Sequence, residues 1–183
     1  MQDATRLARF KALVLTHLDA AYNLARWLTR NDHDAEDVVQ EAFARAFRYF
    51  DSLKETDARA WLLAIVRNTG YTWLEKNRPS EVVALEDSGL IGADAEVIGH
   101  TAPAESNPEV IVLQSVQKKL VNQALEELPV GFREVLVMRE LEDLSYKEIA
   151  HIAGVPIGTV MSRLARGREM LRKLVERRMR KAS

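Results

Sequence analysis

The sequence predicts an all-α fold: two small helical domains joined by an acidic linker, the second containing a helix-turn-helix. Three observations carry this. Apolar residues recur at intervals of three and four over most of the chain, with no strand-like alternation in competition. A stretch rich in Gly, Pro and acidic residues interrupts that pattern over 79–112. The segment Leu144–Arg168, LSYKEIAHIAGVPIGTVMSRLARGR, has the start, turn and restart signals of two short helices set at an angle. The expected organisation is a helical domain over 1–78, a linker over 79–112 and a helix-turn-helix domain over 113–183.

In the first domain, Leu7, Phe10, Val14, Leu18, Ala21, Leu24, Ala25 and Leu28 form one helical stripe. Asn31, Asp32 and His33 break it. Asp34 is the expected cap of a second helix, with Asp37 at its third position and Val38, Val39, Ala42, Phe43, Ala46, Phe47 and Phe50 as its apolar side. Asp51–Asp57 reads as a polar loop. A third helix is expected from about Ala58 to Asn77, burying Trp61, Leu62, Ile65, Val66, Thr69 and Trp73. Arg78-Pro79 ends it, because the residue before a proline avoids helical geometry. Helical patterning resumes at Glu109. Leu128-Pro129 marks a break, and Phe132, Val135, Leu136 and Met138 belong to a helix ahead of the motif.

Within the motif, Ser145 and Glu148 form a capping box at the first helix. Gly154 permits a left-handed turn, and Pro156 pre-sets the start of the second helix. On that helix Val160, Leu164 and Leu171 share one face. Thr159, Ser162, Ala165 and Arg166 share the opposite face, with Arg163 and Arg168 on its flanks. An exposed stripe that is small, hydroxylic and basic suits a major groove: short side chains allow close approach, and Arg pairs with guanine or phosphate. A capped helical hairpin with a solvated basic face has the same spacing. The charge trend favours DNA, because from Thr159 onward nine Lys/Arg face only Glu169 and Glu176.

Over its 183 residues the chain carries a net charge of −1, unevenly distributed. Residues 1–77 hold eleven bases and eleven acids, 78–112 one base and seven acids, and 113–183 fourteen bases and nine acids. There is no cysteine, so disulfides, thiolate metal sites and cysteine nucleophiles are excluded. No apolar run approaches the length of a membrane span, and the N-terminus lacks a signal peptide's apolar core, so a cytoplasmic protein without membrane insertion is expected. The four His lie far apart, and no phosphate-binding loop or nucleophile motif is present. His33 beside Asp32, Asp34 and Asp37 suggests a metal, but a helix N-terminus explains those acids better. The expectation is a protein with no cofactor, no metal and no enzymatic activity.

The order of segments then carries a resemblance. Asp34–Phe43 (DAEDVVQEAF), Trp61-Leu62 with Val66-Arg67-Asn68-Thr69, Asn107-Pro108-Glu109, Ala124–Pro129 (ALEELP) and Leu144–Arg168 together resemble a bacterial RNA polymerase sigma factor of the extracytoplasmic-function (ECF) group. The resemblance runs from about Leu13 to Lys173. It implies a promoter-specificity subunit that binds core RNA polymerase and promoter DNA, with an anti-sigma factor as its controlling partner. The helix resembling the polymerase-docking region would present Glu36, Asp37, Gln40, Glu41 and Arg45 to the clamp helices of the largest subunit. The minus-ten reader would be the loop Asp51–Asp57 and the helix after it, with Arg59, Arg67, Asn68, Tyr71, Lys76 and Arg78 as DNA contacts. Trp61 and Trp73 suit base stacking or core packing, and helical spacing favours core for Trp61. The minus-thirty-five reader would use Thr159, Ser162, Arg163 and Arg166, with Arg168 on the backbone. The sequence departs from the family in three places. Lys54-Glu55-Thr56-Asp57 lacks the usual small, Gly-containing stretch, Met161 stands where many members carry Arg or Lys, and Ala165 replaces a larger side chain. The second and third leave fewer direct base contacts and more weight on DNA shape. Two other functions fit parts of the chain: a stand-alone helix-turn-helix repressor or activator, and a sigma-mimicking regulatory adaptor.

Overall fold

A computed structural model describes residues 2–86 and 108–182. Among these, helices and short turns account for nearly everything and no strand occurs. The helices are α1 (Gln2–Leu13), α2 (Leu18–Thr29), α3 (Asp32–Arg48), α4 (Ala58–Asn77), α5 (Pro79–Glu86), α6 (Pro108–Glu127), α7 (Val130–Leu136), α8 (Tyr146–Ala153) and α9 (Ile157–Ala182).

The single stripe expected over Leu7–Leu28 is split. A 3₁₀ turn at Leu15–His17 separates α1 from α2, and Leu7 and Leu18 are exposed while Phe10 and Val14 are buried. Phe10 is what seats α1. Its ring meets Phe43, Phe47 and Phe50 edge-on at 6.4, 5.2 and 5.3 Å, the arrangement that sets positive ring edges against negative faces. α3 starts earlier than expected. Its cap is Asn31, in extended geometry, whose side chain accepts the Asp34 N–H. Asp34 therefore lies inside the first turn, where its charge still suits the helix dipole. The Asp51–Asp57 loop holds two further 3₁₀ turns, Phe50–Ser52 and Glu55–Asp57.

α2, α3 and α4 pack on one another around Leu24, Leu28, Val38, Leu62, Leu63, Val66 and Leu74. Gly70 lets α4 lie directly on α2, since a Cβ there would sit 2.7 Å from the Leu28 side chain. The linker reading of 79–112 is narrowed. Residues 79–86 continue as α5, with Pro79 in the first turn, where its missing N–H costs nothing. Residues 108–112 already belong to α6, and 87–107 lie outside the described residues.

The second half is as the motif predicted. Ser145 and Glu148 make both bonds of the capping box, and Gly154 closes α8 at φ 66°. α9 crosses α7 closely at Gly167, where a Cβ would lie 3.1 Å from Leu136. A π-helical turn over Val137–Leu141 separates α7 from the motif. The two halves share one apolar core: α7 packs against α2, and α8 against α4.

Candidate functional site

Three surfaces carry the residues singled out by sequence. The first is the outer face of α3. Glu36, Asp37, Gln40 and Glu41 are exposed, while Ala35, Val38, Val39, Ala42 and Ala46 are buried on the other side. Arg45 is half-buried, and its Nε donates to Glu41 Oε1 at 2.8 Å. Phe43 lies between the two faces, packed against the core. An exposed i,i+4 pair such as Glu41–Arg45 contributes only about 0.3–0.5 kcal/mol, so a partner exchanges it at little cost.

The second surface is α4. Here the six sequence candidates divide. Asn68 and Lys76 are exposed. Arg78 is the C-cap of α4, and its guanidinium donates to Thr29 O at 2.9 Å and lies over the Trp73 ring. Arg59, Arg67 and Tyr71 face the segment 130–142 of the second half rather than solvent. Arg67 donates from Nε and Nη2 to the two carboxylate oxygens of Glu134 at 2.9 and 3.1 Å. The Tyr71 hydroxyl donates to the same carboxylate at 2.8 Å. Arg59 Nη2 donates to the Glu142 backbone oxygen and to its carboxylate, which also accepts from Asn23 at 2.6 Å. Burial raises the Tyr71 pKa well above the ordinary phenol range, and the Glu134 charge raises it further. For Arg67 burial acts to lower the pKa, but Glu134 outweighs it and holds the guanidinium charged. Trp61 and Trp73 are both half-buried against the core.

The third surface is the start of α9. Thr159, Ser162, Ala165 and Arg166 are partly exposed, opposite the buried Val160 and Leu164. The Ser162 hydroxyl donates to Thr159 O at 3.1 Å, and Met161 is exposed beside it. The two flanking arginines are less open than the sequence pattern implied. Arg163 turns inward, its Nη1 3.9 Å from Glu134. Arg168 pairs with Glu140 at 2.7 Å. The basic tail is also partly neutralised: Arg177 and Arg178 reach back to Glu127 on α6, and Arg172 bridges Glu169 and Glu176. No grouping of three or more His, Asp or Glu that would hold a metal occurs among the described residues.

Sequence reasoning missed Arg133, Glu134 and Glu142. Arg133 is 1% exposed and Glu134 fully buried. A signal was present: Arg133-Glu134 is a charged pair inside the otherwise apolar run Val130–Met138, and charges are buried only when partnered.

Residues 13–79 match the family Sigma-70 region 2, and residues 118–171 match Sigma-70, region 4. The ECF RNA polymerase sigma-E factor of Escherichia coli K12 is 39% identical over 141 residues, 75% of this chain and 72% of that protein. The chain belongs to the extracytoplasmic-function group of the sigma-70 family. It is thus a transcription-initiation factor, not an enzyme. The sigma factor SigE of Mycolicibacterium smegmatis is 35% identical over 171 residues, 93% of this chain, which spans 63% of that protein's length. Among solved structures, the sigma factor RpoE of Bartonella quintana, in complex with the anti-sigma factor NepR, is similar with a TM-score of 0.66 and 28% identity over 92% of this chain and 97% of that one. CnrH, in complex with the cytosolic domain of CnrY, is similar with a TM-score of 0.61 and 25% identity, covering 91% and 87%. No described helix of this sigma factor is long and apolar enough to cross a membrane.

Proposed function

We propose that this chain works in the cytoplasm, docks on the clamp helices of core RNA polymerase through the polar face of α3, and directs initiation at promoters read by α4 and α9. The observation that carries this is the order of the two sigma-70 regions in one chain, each with a polar face beside its buried stripe. On this reading residues 1–78 act as the polymerase-docking and minus-ten domain, and 113–183 as the minus-thirty-five domain. An anti-sigma factor is the expected controlling partner; the similar Bartonella protein is in complex with the anti-sigma factor NepR. The direct test is run-off transcription: the purified chain with core bacterial polymerase should start transcripts at a defined promoter that core alone ignores.

Replacing Gln40 and Arg45 together by Ala should weaken association with core polymerase by about 1–2 kcal/mol while leaving far-ultraviolet circular dichroism unchanged. Both side chains lie off the buried stripe of α3, so the fold has no reason to respond. Unaltered affinity with normal helicity would place the docking surface elsewhere.

On α9, Arg166 lies opposite Val160 and Leu164, and Arg168 lies toward the edge against Glu140. Arg166→Ala should cost about 1–3 kcal/mol at one minus-thirty-five base pair and relax preference there. Arg168→Ala should weaken all sequences alike and lower the salt slope by about one. Holoenzyme binding across a panel of single-base variants separates the two. A uniform loss for Arg166→Ala would reduce it to a backbone contact.

A further inference from the structure

Ile157 and Met161 are each 45% exposed at the start of α9, one turn apart. A single exposed apolar side chain needs no explanation. These two are neighbours, because residues four apart on a helix lie side by side, and the partly exposed Ala165 continues the row by one more turn. At about 100° per residue, this row runs beside the polar row Thr159, Ser162, Arg166, with Gly158 between the two. Gly158 answers no packing need: a Cβ there would meet nothing within 4 Å among the described residues. Gly167 on the same helix is different, since it clears Leu136. The missing side chain at 158 leaves room for something outside the chain, between an apolar row and a basic one.

The polar side of the helix is short of donors. The Ser162 hydroxyl gives its proton to Thr159 O, Arg163 turns to Glu134 and Arg168 pairs with Glu140. Thr159 and Arg166 remain for polar contacts with base edges. The apolar row supplies a different kind of contact. Only thymine, among the four bases, carries a methyl group on the major-groove edge, and apolar side chains recognise it by touching it. Methionine suits this task, because its unbranched thioether adapts to the surface it meets. Arg166 and Arg168 stand on either side of the row, and their charge matches a phosphate-lined groove better than an apolar protein surface.

We propose that Ile157 and Met161 clasp the 5-methyl group of one thymine in the minus-thirty-five major groove, so that this chain selects thymine there by apolar burial rather than by hydrogen bonding. This rests on the reading of α9 as the minus-thirty-five helix. Met161 then exchanges one kind of base contact for another instead of removing one. Burial of a single methyl group corresponds to about fourfold in affinity.

The test uses holoenzyme reconstituted from the full chain and core polymerase, on a duplex promoter at which run-off transcription starts. Each minus-thirty-five position carries thymine and then deoxyuridine, on either strand in turn, so that each pair of duplexes differs only by the methyl group. Competition binding should show one position where deoxyuridine lowers affinity about fourfold. Met161→Ala should abolish that difference with helicity kept, since the side chain is exposed, and Met161→Leu should retain most of it. The proposal falls if no position distinguishes thymine from deoxyuridine. It falls equally if wild type and Met161→Ala distinguish them alike, because the methyl group then acts through DNA shape. Weaker association of Met161→Ala with core polymerase, with the methyl dependence intact, would assign the row to a protein contact instead. A holoenzyme indifferent to every minus-thirty-five substitution defeats the reading of α9 itself. One that keeps its base preferences but ignores the methyl group defeats this inference alone.

Discussion

Arg133→Met should lower the unfolding free energy by about 2–5 kcal/mol, from at least two buried acceptors left unpaired at about 1–3 kcal/mol each. Arg133 reaches from α7 to the last turn of α2, where its Nε donates to Trp27 O at 2.7 Å, and its Nη1 donates to Leu128 O at 2.7 Å at the end of α6. The carbonyls of a helix's last turn have no following N–H to pair with, so this side chain caps two helices from a third. Glu81 on α5 lies 3.5 Å from its Nη2. Burial, and then the charge of Arg30, lower the Arg133 pKa, but Glu81 opposes this. Methionine fills a similar volume and satisfies none of these oxygens. Urea unfolding followed by tryptophan fluorescence reads the effect directly, because Trp27, Trp61 and Trp73 all lie in the first half. Arg133→Lys should recover only part of the loss, since an ammonium does not reproduce the planar fork. A loss below about 1 kcal/mol for Arg133→Met would mean that water reaches the freed carbonyls.

Leu164→Ala should cost about 2–5 kcal/mol, whereas Leu171→Ala on the same face should cost markedly less. Leu164 is 1% exposed beneath the recognition helix, in the core shared with Val160, Ile149 and Ile152. Leu171 lies two turns further on and is only half-buried. Periodicity alone places the two leucines on one stripe with equal standing. They differ because α7 crosses α9 closely at Gly167, between the two leucines, and the buried residues of α9 are Val160, Leu164 and Gly167, none beyond that crossing. Parallel urea titrations followed by far-ultraviolet circular dichroism measure both. Equal losses would show that the far half of α9 is as tightly packed as the start.

The helix-turn-helix was legible because each of its signals is local. Ser145 with Glu148, Gly154 and Pro156 act within four residues of themselves, and nothing distant is needed to satisfy them. The end of α4 at Arg78 was legible for the same reason. The cap of α3 was misplaced onto Asp34 because Asn31 and Asp34 are both good caps, and only backbone geometry distinguishes them. The helix at 79–86 was hidden by acidic composition. Glu81 there ion-pairs with Arg30, the residue that closes α2, and Val82 packs on the core, contacts that composition does not record.

The sequence by itself determined the helical class, the motif and the polar faces of α3 and α9, because helical periodicity and capping are properties of neighbouring residues. Only the tertiary structure decided which polar residues face solvent. Arg59, Arg67, Tyr71 and Arg163 stand at positions a sequence reads as exposed, yet each is held by an acid of the segment ahead of the motif, which for the three residues on α4 lies 63 or more residues away. Arg133 and Glu134 stand in an apolar run, yet each is charged and partnered across the two halves. A buried charge is stable only beside its partner, and a partner that distant along the chain is brought there by the packing of α7 on α2 and of α8 on α4.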